Sequence, residues 1–587
     1  MVRYVEWKTG RGFSQGSNHE RCLKRVNTTT ITVKANIRTW EYKQCKAFLQ
    51  YSRTEEQFVS SSEVTETERI PIRMRRATKV IQDPIHGTIE LDPVYMTIID
   101  TPEFQRLRDI KKLGTVNFVY PGSVHTRFEH SIGTCYLALK LVRYLKENYQ
   151  NTLGITKEEE LCVGLAALCL DLGRGPFSNE EKIIPALKIT GHDEFTHTLA
   201  SVKIFDLMVK KYKLQEVFKT YGYQMMDIEF HLVKEMIYGP LQFGNEYLKA
   251  DSYQATSPYR YFLYEIVSNR RNGIDASEWD GLARDSYHLG IVHGNSMHER
   301  FIKFARVLQV PSKTEQRKQI CFRDKEAPSA CEMLRARYRQ RGLTTFHSVK
   351  IGIDIMIADA IVAAAPYLKR RKENGEAVGM SEILKDMDAY MTLDDTIYTE
   401  ILKSHDDDKL MEARLILQRI QKRELYKLVC KVEFPANLTK QDIRQEDIIT
   451  SHANDGSLKE DDLRLMIVNM DYGVGDKNPF DDMLFYSKDD AAPRYALPDE
   501  ISHLIPKTFQ ERRLFVYVTD YNKNDIATRC VEEWARESGL IKPPQPQIPG
   551  TLQYTGSEDQ VPLQTGIKRQ VEESYDDETI SKIGKFD

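Results

Sequence analysis

From residue 79 onward, apolar side chains recur every three or four positions along the chain, with polar residues between them. This spacing is typical of amphipathic helices whose apolar faces pack together. It predicts a mainly helical domain that reaches to about residue 435. The clearest predicted helices cover residues 102–113, 127–149, 157–170, 196–212, 228–237 and 347–365.

The pattern changes on both sides of this domain. Residues 1–77 are polar, with one alternating apolar stretch at 31–37, and we expect a mostly irregular extension there. Residues 436–540 predict strands at 463–470 and 513–519 and a helix at 526–537. Residues 541–587 begin with several prolines and continue with polar and acidic residues, which is typical of a disordered tail. The predicted fold class is therefore mainly α, with a helical core at 78–435 and a smaller mixed α/β C-terminal lobe.

Composition changes this picture little. The chain has 587 residues, 41% of them hydrophobic, and a net charge of −3, so bulk charge gives no sign of nucleic-acid binding. Nine cysteines occur without a C-x-x-C pair, which favours reduced thiols inside a cell. No signal peptide and no run of 18 apolar residues is visible, so we expect a soluble intracellular protein with no membrane partner.

The first candidate functional residues lie where the third predicted helix ends. There Leu170-Asp171-Leu172-Gly173 places a carboxylate at a turn that glycine makes possible. His130 precedes it, His197 follows it, and a polar segment at 271–280 comes later. Taken singly, each histidine is more often a packed or surface residue than a ligand, and Asp171 is more often a loop carboxylate or a hydrogen-bonded polar residue. Their joint order favours a helical divalent-metal phosphohydrolase.

Longer motifs strengthen this interpretation. The segments at 79–87, 99–108, 262–269 and 469–473 resemble the SAM-and-HD-domain deoxynucleoside triphosphate triphosphohydrolase family of vertebrates, and the resemblance extends from about residue 79 to about 537. It implies an HD-domain fold and hydrolysis of a deoxynucleoside triphosphate (dNTP) to the deoxynucleoside and inorganic triphosphate. It also implies a catalytic zinc, iron or manganese ion held by two histidines and two aspartates. The family's SAM domain is not recognisable in residues 1–77.

The resemblance places only two of the four metal ligands on suitable residues, His130 and Asp171. Leu170 stands where the second histidine is expected and Ser277 where the second aspartate is expected. A leucine offers no lone pair, and a neutral serine hydroxyl is a poor substitute for a carboxylate. We therefore expect the catalytic ion to bind weakly or not at all. Glu278 is adjacent to Ser277, but neighbouring helical residues point about 100° apart.

The surrounding pocket is also altered. Arg174 replaces a catalytic histidine, whereas His197 and Asp285 match the catalytic positions that the resemblance implies. The implied substrate contacts that are kept are Arg127, Leu113, Arg337 and Asp285. Other substrate positions differ, because Lys112, Glu278, Gly281, Thr345 and Phe346 stand there. Glu278 introduces negative charge where a triphosphate would lie.

Regulatory positions are better preserved. The resemblance implies an allosteric GTP pocket at Lys79, Asp100, Gln105, Arg108 and Arg423. It implies an allosteric dNTP pocket, with Mg²⁺, at Val119, Tyr120, Arg300, Phe304, Arg323, Lys325, His347 and Lys477. Gln82, Ser329, Leu343 and Ser348 depart from that second pattern. In the family these pockets lie between subunits, so a homo-oligomer, a dimer or tetramer, is implied as well.

Three hypotheses follow. The first is a GTP- and dNTP-binding protein that has lost most triphosphohydrolase activity and acts as a nucleotide sensor, or in a hetero-oligomer with an active paralogue. The second is an active enzyme with a metal site rebuilt around Glu278 or a neighbouring aspartate. The third is a single-stranded nucleic-acid-binding or scaffolding protein. The basic clusters at 73–76 and 369–372 are consistent with solvated charge, with nuclear import or with phosphate contacts.

Overall fold

The structure is a computed structural model. It describes residues 78–178, 183–184, 195–239, 258–291, 297–310, 317–372, 374–404, 408–439, 442–450, 457–490 and 492–540. The predicted extension at 1–77, with its basic cluster, and the predicted tail at 541–587 lie outside the described residues.

Helices dominate the described part, as the sequence predicts. They are α1 Pro93–Ile99, α2 Pro102–Gln105, α3 Arg127–Leu153, α4 Lys157–Cys169, α5 His197–Lys211, α6 Leu214–Thr220, α7 Asp227–Tyr238, α8 Tyr264–Val267, α9 Ala276–Leu289, α10 Met297–Lys303, α11 Ala327–Leu343, α12 Ser348–Ala364, α13 Met387–Tyr390, α14 Thr396–Lys403, α15 Met411–Lys422, α16 Gln445–Thr450, α17 Pro498–Ile501 and α18 Asn524–Glu537. None of them combines the length and the apolar character that crossing a membrane requires.

The strands form small sheets. They are β1 Lys79–Asp83, β2 Gly87–Leu91, β3 Arg306–Gln309, β4 Lys318–Arg323, β5 Lys369–Arg371, β6 Ala377–Gly379, β7 Lys427–Glu433, β8 Leu463–Asp471, β9 Leu484–Tyr486, β10 Arg494–Tyr495 and β11 Gln510–Val518. β1 and β2 pair antiparallel, as do β5 and β6. The C-terminal sheet has the order β7-β11-β8 and is antiparallel throughout.

A fourth sheet joins the two predicted parts of the chain. Its order is β10-β9-β4-β3, and β9 runs parallel to β4. Phe515 and Tyr517 of β11 also belong to the same apolar core as α12. The described residues on the two sides of position 435 therefore share a sheet and an apolar core. The fold is mainly α, with an HD-domain-like helical core and a smaller mixed α/β C-terminal part.

The long helix predicted at 102–113 is shorter in the structure. α2 ends at Gln105, a 3₁₀ turn covers Arg106–Asp109, and Lys111 forms an isolated antiparallel bridge with Thr126. Bridging requires extended backbone, so contact with the segment before α3 overrides the helical pattern. The other predicted helices agree with the observed bounds to within a few residues.

Candidate active site

Two helix ends bring the first site residues together. At the start of α3, the Glu129 carboxylate accepts a hydrogen bond from Thr126 N at 2.6 Å, which satisfies a free N–H of the first turn. Arg127 and His130 are three residues apart on this turn and are both buried, at 9% and 3% exposure. α4 begins with a capping box between Thr156 and Glu159 and ends at Cys169. Asp171 follows this end.

The turn after Asp171 is held through its backbone. Ser201 Oγ accepts a hydrogen bond from Gly173 N at 2.7 Å and donates one to Leu170 O at 2.9 Å. The Arg106 guanidinium donates to Leu172 O and Arg174 O, at 3.1 and 2.7 Å. A Cβ on Gly173 would lie 2.1 Å from His197 O and 2.4 Å from Ser201 N. Glycine is therefore required at 173 because the turn lies directly against the start of α5.

Two arginines occupy the Asp171 carboxylate. Arg127 Nη1 lies 2.8 Å from Oδ2, and Arg174 Nε lies 3.1 Å from Oδ1. His130 Nε2 is farther away, 3.5 Å from Oδ2. Burial acts to raise the pKa of Asp171, but the two guanidinium groups outweigh it and hold the pKa well below its usual range. The carboxylate is therefore ionised and already neutralised by protein cations.

A second carboxylate orients His130. Asp280 Oδ2 lies 2.6 Å from His130 Nδ1, and Asp280 Oδ1 lies 2.7 Å from His86 Nε2. Arg284 donates two hydrogen bonds to Asp280, at 2.8 and 2.9 Å, and forms a further ion pair with Asp83 at 2.9 Å. Burial, followed by the Lys112 charge, lowers the pKa of His130. His130 is consequently a neutral imidazole at physiological pH.

The residues present do not fit the metal ion that the resemblance implies. Leu170 is the C-terminal cap of α4 and packs against the apolar core. Ser277 lies at the second position of α9 and is half-buried. Within the described ranges, no group of three or more histidine, cysteine, aspartate or glutamate side chains is arranged to hold a metal ion. An ion on Asp171 would also have to displace Arg127 or Arg174.

Two ion pairs occupy the predicted substrate positions. Lys112 Nζ lies 2.9 and 2.8 Å from the two oxygens of Asp285, which also contacts His125 Nε2 at 2.7 Å. A Cβ on Gly281 would lie 3.2 Å from Lys112 Nζ, so the small residue at 281 leaves the space that the lysine uses. Burial raises and Lys112 lowers the pKa of Asp285, and the net shift is downward.

The second pair joins α9 to α11. Arg337 Nη1 lies 2.9 Å from Glu278 Oε2 and 3.3 Å from Gly273 O. Gly473 permits this position, because a Cβ there would lie 2.3 Å from Arg337 Nη1. The Glu278 carboxylate therefore forms an ion pair with Arg337. Of the remaining predicted residues, His197 begins α5 and acts electrostatically on Asp171, and Leu113 precedes the 3₁₀ turn Gly114–Phe118.

The predicted GTP residues lie in more than one place. Gln105 Oε1 accepts a hydrogen bond from Arg108 Nε at 2.8 Å, and the Arg108 guanidinium carbon lies 3.4 Å from the centroid of the Phe128 ring. Asp100 is close by in sequence, as the C-terminal cap of α1. Lys79 begins β1. Arg423 ends α15 in the left-handed conformation and lines a cavity of about 640 Å³.

Only some of the predicted dNTP residues contact one another. Arg300 forms a two-point ion pair with Glu326, while the Lys325 ammonium lies 4.0 Å from the Phe304 ring centroid. Arg323 belongs to this cluster, because its guanidinium carbon lies 5.9 Å from the Tyr486 ring and Tyr486 donates a hydrogen bond to Phe304 O. The other members lie elsewhere. Val119 and Tyr120 follow the 3₁₀ turn at 114–118, His347 caps α12, and Lys477 is exposed after β8.

Sequence reasoning missed several residues of the site. Asp280, His86 and Arg284 form the buried network behind His130, and Arg341 lies one helical turn after Arg337. The sequence contains one signal, since Asp280 and Arg284 are four residues apart, a spacing typical of helical ion pairs. The partners His86 and Asp83 are distant in sequence and gave no such signal.

Comparison with known proteins finds relatives that share one name, the deoxynucleoside triphosphate triphosphohydrolase SAMHD1. The chain is 41% identical over 487 residues to the deoxynucleoside triphosphate triphosphohydrolase SAMHD1 of Xenopus laevis, covering 79% of this chain and 75% of that protein. It is 39% identical over 485 residues to the SAMHD1 of Homo sapiens, covering 79% and 74%. A SAMHD1 homolog of Dictyostelium discoideum is 33% identical over 453 residues, covering 76% and 79%. No protein-family model matches the chain.

Proposed function

Because this chain belongs to the SAMHD1 family of deoxynucleoside triphosphate triphosphohydrolases, we propose that it is a nucleotide-binding member with lost or strongly impaired hydrolysis. In this proposal it binds GTP and dNTPs and acts as a nucleotide sensor or as a partner of an active paralogue. It forms homo-oligomers or hetero-oligomers and works inside the cell, in the nucleus. The residues of this chain would hold and orient a nucleotide, and the hydrolytic step would be missing.

One observation carries the proposal: both oxygens of Asp171 are in ion pairs with Arg127 and Arg174. In a metal-dependent hydrolase the ion supplies a Lewis acid on the phosphoryl oxygen and a bound water with a pKa lowered to about 7. Here the retained carboxylate faces guanidinium groups, and its expected co-ligands are Leu170 and Ser277. Arg174 is also permanently charged, so it cannot replace a histidine in proton transfer near neutral pH.

The alternative of a rebuilt metal site has less support. In the form that uses Glu278, this side chain must turn toward Asp171 and His130, but Glu278 pairs with Arg337 across α9 and α11. Removing it would leave the half-buried Arg337 without its carboxylate. His197 and Asp285 remain as candidate acid or base residues, yet Asp285 is in contact with Lys112 and His125.

Nucleotide regulation is part of the proposal because the candidate residues are chemically suitable. Gln105, Arg108 and Arg423 offer donors that match phosphate oxygens, and Asp100 offers acceptors for the donor edge of guanine. In this proposal a second subunit completes the dNTP pocket, as the resemblance implies. Nucleotide binding would then change the oligomeric state.

A turnover assay tests the proposal. The purified protein would be incubated with GTP, the four dNTPs and Mg²⁺ or Mn²⁺, and deoxynucleoside release measured by chromatography. We expect release at least a thousandfold below about 1 per second, a rate within the usual range of enzymes. Release near that rate, abolished in the His130→Ala variant, would show an active enzyme. An active relative assayed in parallel is the control.

Metal content provides an independent measurement. Elemental analysis of the purified protein should find less than about 0.1 iron, zinc or manganese per chain, because Asp171 lacks two of its expected co-ligands. The matched control is a triple reversion, Leu170→His, Arg174→His and Ser277→Asp, which restores the donor set and should bind an ion. Near-stoichiometric metal in the unmodified protein that is lost in the Asp171→Asn variant would contradict the proposal.

A further inference from the structure

The candidate site contains a cation that the resemblance does not account for. Arg341 lies on α11, four residues after Arg337 and therefore on the same face of the helix. Within the described part of the chain, no carboxylate forms an ion pair with its guanidinium group. Glu278, Asp471 and Asp285 are near enough to act on it electrostatically. Burial and the positive charge of Arg337 nevertheless lower the pKa of Arg341. Among the described residues, Arg341 therefore has a second guanidinium group nearby and no carboxylate at ion-pair distance.

Arg337 also retains hydrogen-bonding capacity. Its Nη1 atom contacts Glu278 and Gly273 O, but its buried Nε atom has no hydrogen-bond partner among the residues that the structure describes. A buried donor without an acceptor costs free energy, which an incoming anion would recover. Two adjacent guanidinium groups with free donors match the geometry of phosphate oxygens.

Two further cations stand where the family implies neutral or titrating residues. Arg174 lies against Asp171, and Lys112 lies against Asp285 beside His130. A divalent ion in such a pocket would neutralise the aspartates and the phosphates. Here the aspartates are already neutralised by protein side chains.

We infer that Lys112, Arg174 and Arg341 replace the charge of the divalent ion, and that this pocket holds the triphosphate group of a nucleotide, or free inorganic triphosphate, without one. This inference rests on the proposed function. The pocket binds the ligand through Arg337 and Arg341, while Arg174 and Lys112 keep Asp171 and Asp285 from repelling it. Glu278 competes with the ligand for Arg337.

Calorimetric titration of the 587-residue chain tests the inference. Inorganic triphosphate and dATP would be titrated separately, once with EDTA and once with Mg²⁺. We expect each affinity in EDTA to remain within about threefold of that in Mg²⁺. Competition between the two ligands shows whether they share the site. Binding of both ligands only when Mg²⁺ or Mn²⁺ is present would overturn the inference.

Variants locate the binding. Arg341→Gln should weaken triphosphate binding by about tenfold or more, since it removes a charge-assisted hydrogen bond. Glu278→Gln should strengthen binding because it releases Arg337. The matched control is Arg339→Gln on the exposed face of the same helix, which should bind like the unmodified protein. Circular dichroism would verify that each variant is folded.

The outcomes separate the two proposals. Unchanged triphosphate binding in a folded Arg341→Gln variant overturns the inference and leaves the proposed loss of hydrolysis standing. Deoxynucleoside release in the turnover assay overturns the proposed function, whatever the titrations show. Metal-independent binding that is weakened by Arg341→Gln and strengthened by Glu278→Gln supports the inference.

Discussion

At the scale of single residues, each charged side chain that departs from the family pattern forms an ion pair with a residue of opposite charge. Arg174 pairs with Asp171, Lys112 with Asp285, and Glu278 with Arg337. Each new charge therefore neutralises a residue that the family pattern retains. A buried carboxylate that had lost its metal ion and gained no partner would destabilise the fold. The substitutions give a site that is stable without an ion.

A buried glutamate outside this site predicts a pH dependence of stability. Burial raises the pKa of Glu265 to about 8, against 4.5 for an unperturbed glutamate, although Ile320 N donates a hydrogen bond to it at 2.7 Å. Between these two pH values the folded protein holds a proton that the unfolded chain has lost. Stability from this group is therefore complete below pH 4.5 and decreases as the pH rises toward 8.

Glu265→Gln removes this titration. Relative to the variant, the unmodified protein should lose about 1.4 kcal/mol of unfolding free energy per pH unit between pH 5 and pH 8. Urea unfolding at a series of pH values measures the difference. The exposed Glu412→Gln variant on α15 is the control and should keep the original pH dependence. Parallel curves for Glu265→Gln and the unmodified protein would contradict the prediction.

At the scale of elements, the sequence predicts the long helices but not the connections that form the site. The observed bounds of α3 and α4 are close to those predicted, and residues 161–169 of α4 are all buried. The turn after Asp171 depends instead on Ser201, Arg106 and Tyr390, which donate to or accept from its backbone. Local periodicity contains no information on such distant partners. For the same reason the contact of Lys112 with Asp285, 173 residues away, could not be predicted.

Gly173 provides a direct test of this turn. Gly173→Ala should lower the free energy of unfolding by about 3 kcal/mol, because the added methyl group would overlap with the backbone of α5. Chemical denaturation measures the change. Gly342→Ala is the matched control, since no atom lies within 4 Å of a Cβ at that position, and it should leave stability unchanged or slightly higher. Equal stability of both variants would show that the turn is not tightly packed.

At the scale of the whole molecule, the C-terminal part completes the helical core. β9 pairs with β4, and Val468, Phe515 and Tyr517 lie in the main apolar core. In residues 436–540 the helical spacing of apolar side chains gives way to predicted strands, so the sequence predicts a smaller mixed α/β lobe there. Pairing between distant strands leaves no periodic signal, so the sequence predicts the fold class, which is confirmed, but not the contacts made across residue 435.

Truncation tests the dependence of one part on the other. A chain ending at residue 435 should fail to fold cooperatively, because it loses β9 from one sheet, β8 and β11 from another, and the core side chains that they contribute. Thermal unfolding followed by circular dichroism would show no sharp transition. A chain ending at residue 540 keeps every described helix and strand and should unfold in one sharp transition. A cooperative transition in the shorter chain would demonstrate an independent domain.

The pairing of β4 with β9 also has a consequence for biosynthesis. During translation β4 leaves the ribosome long before β9, so the edge of β4 that β9 covers presents free N–H and C=O groups for much of the elongation period. Such an edge can pair with a neighbouring nascent chain. Yield from rapid expression should therefore depend on chaperones that shield this strand until synthesis has passed β9.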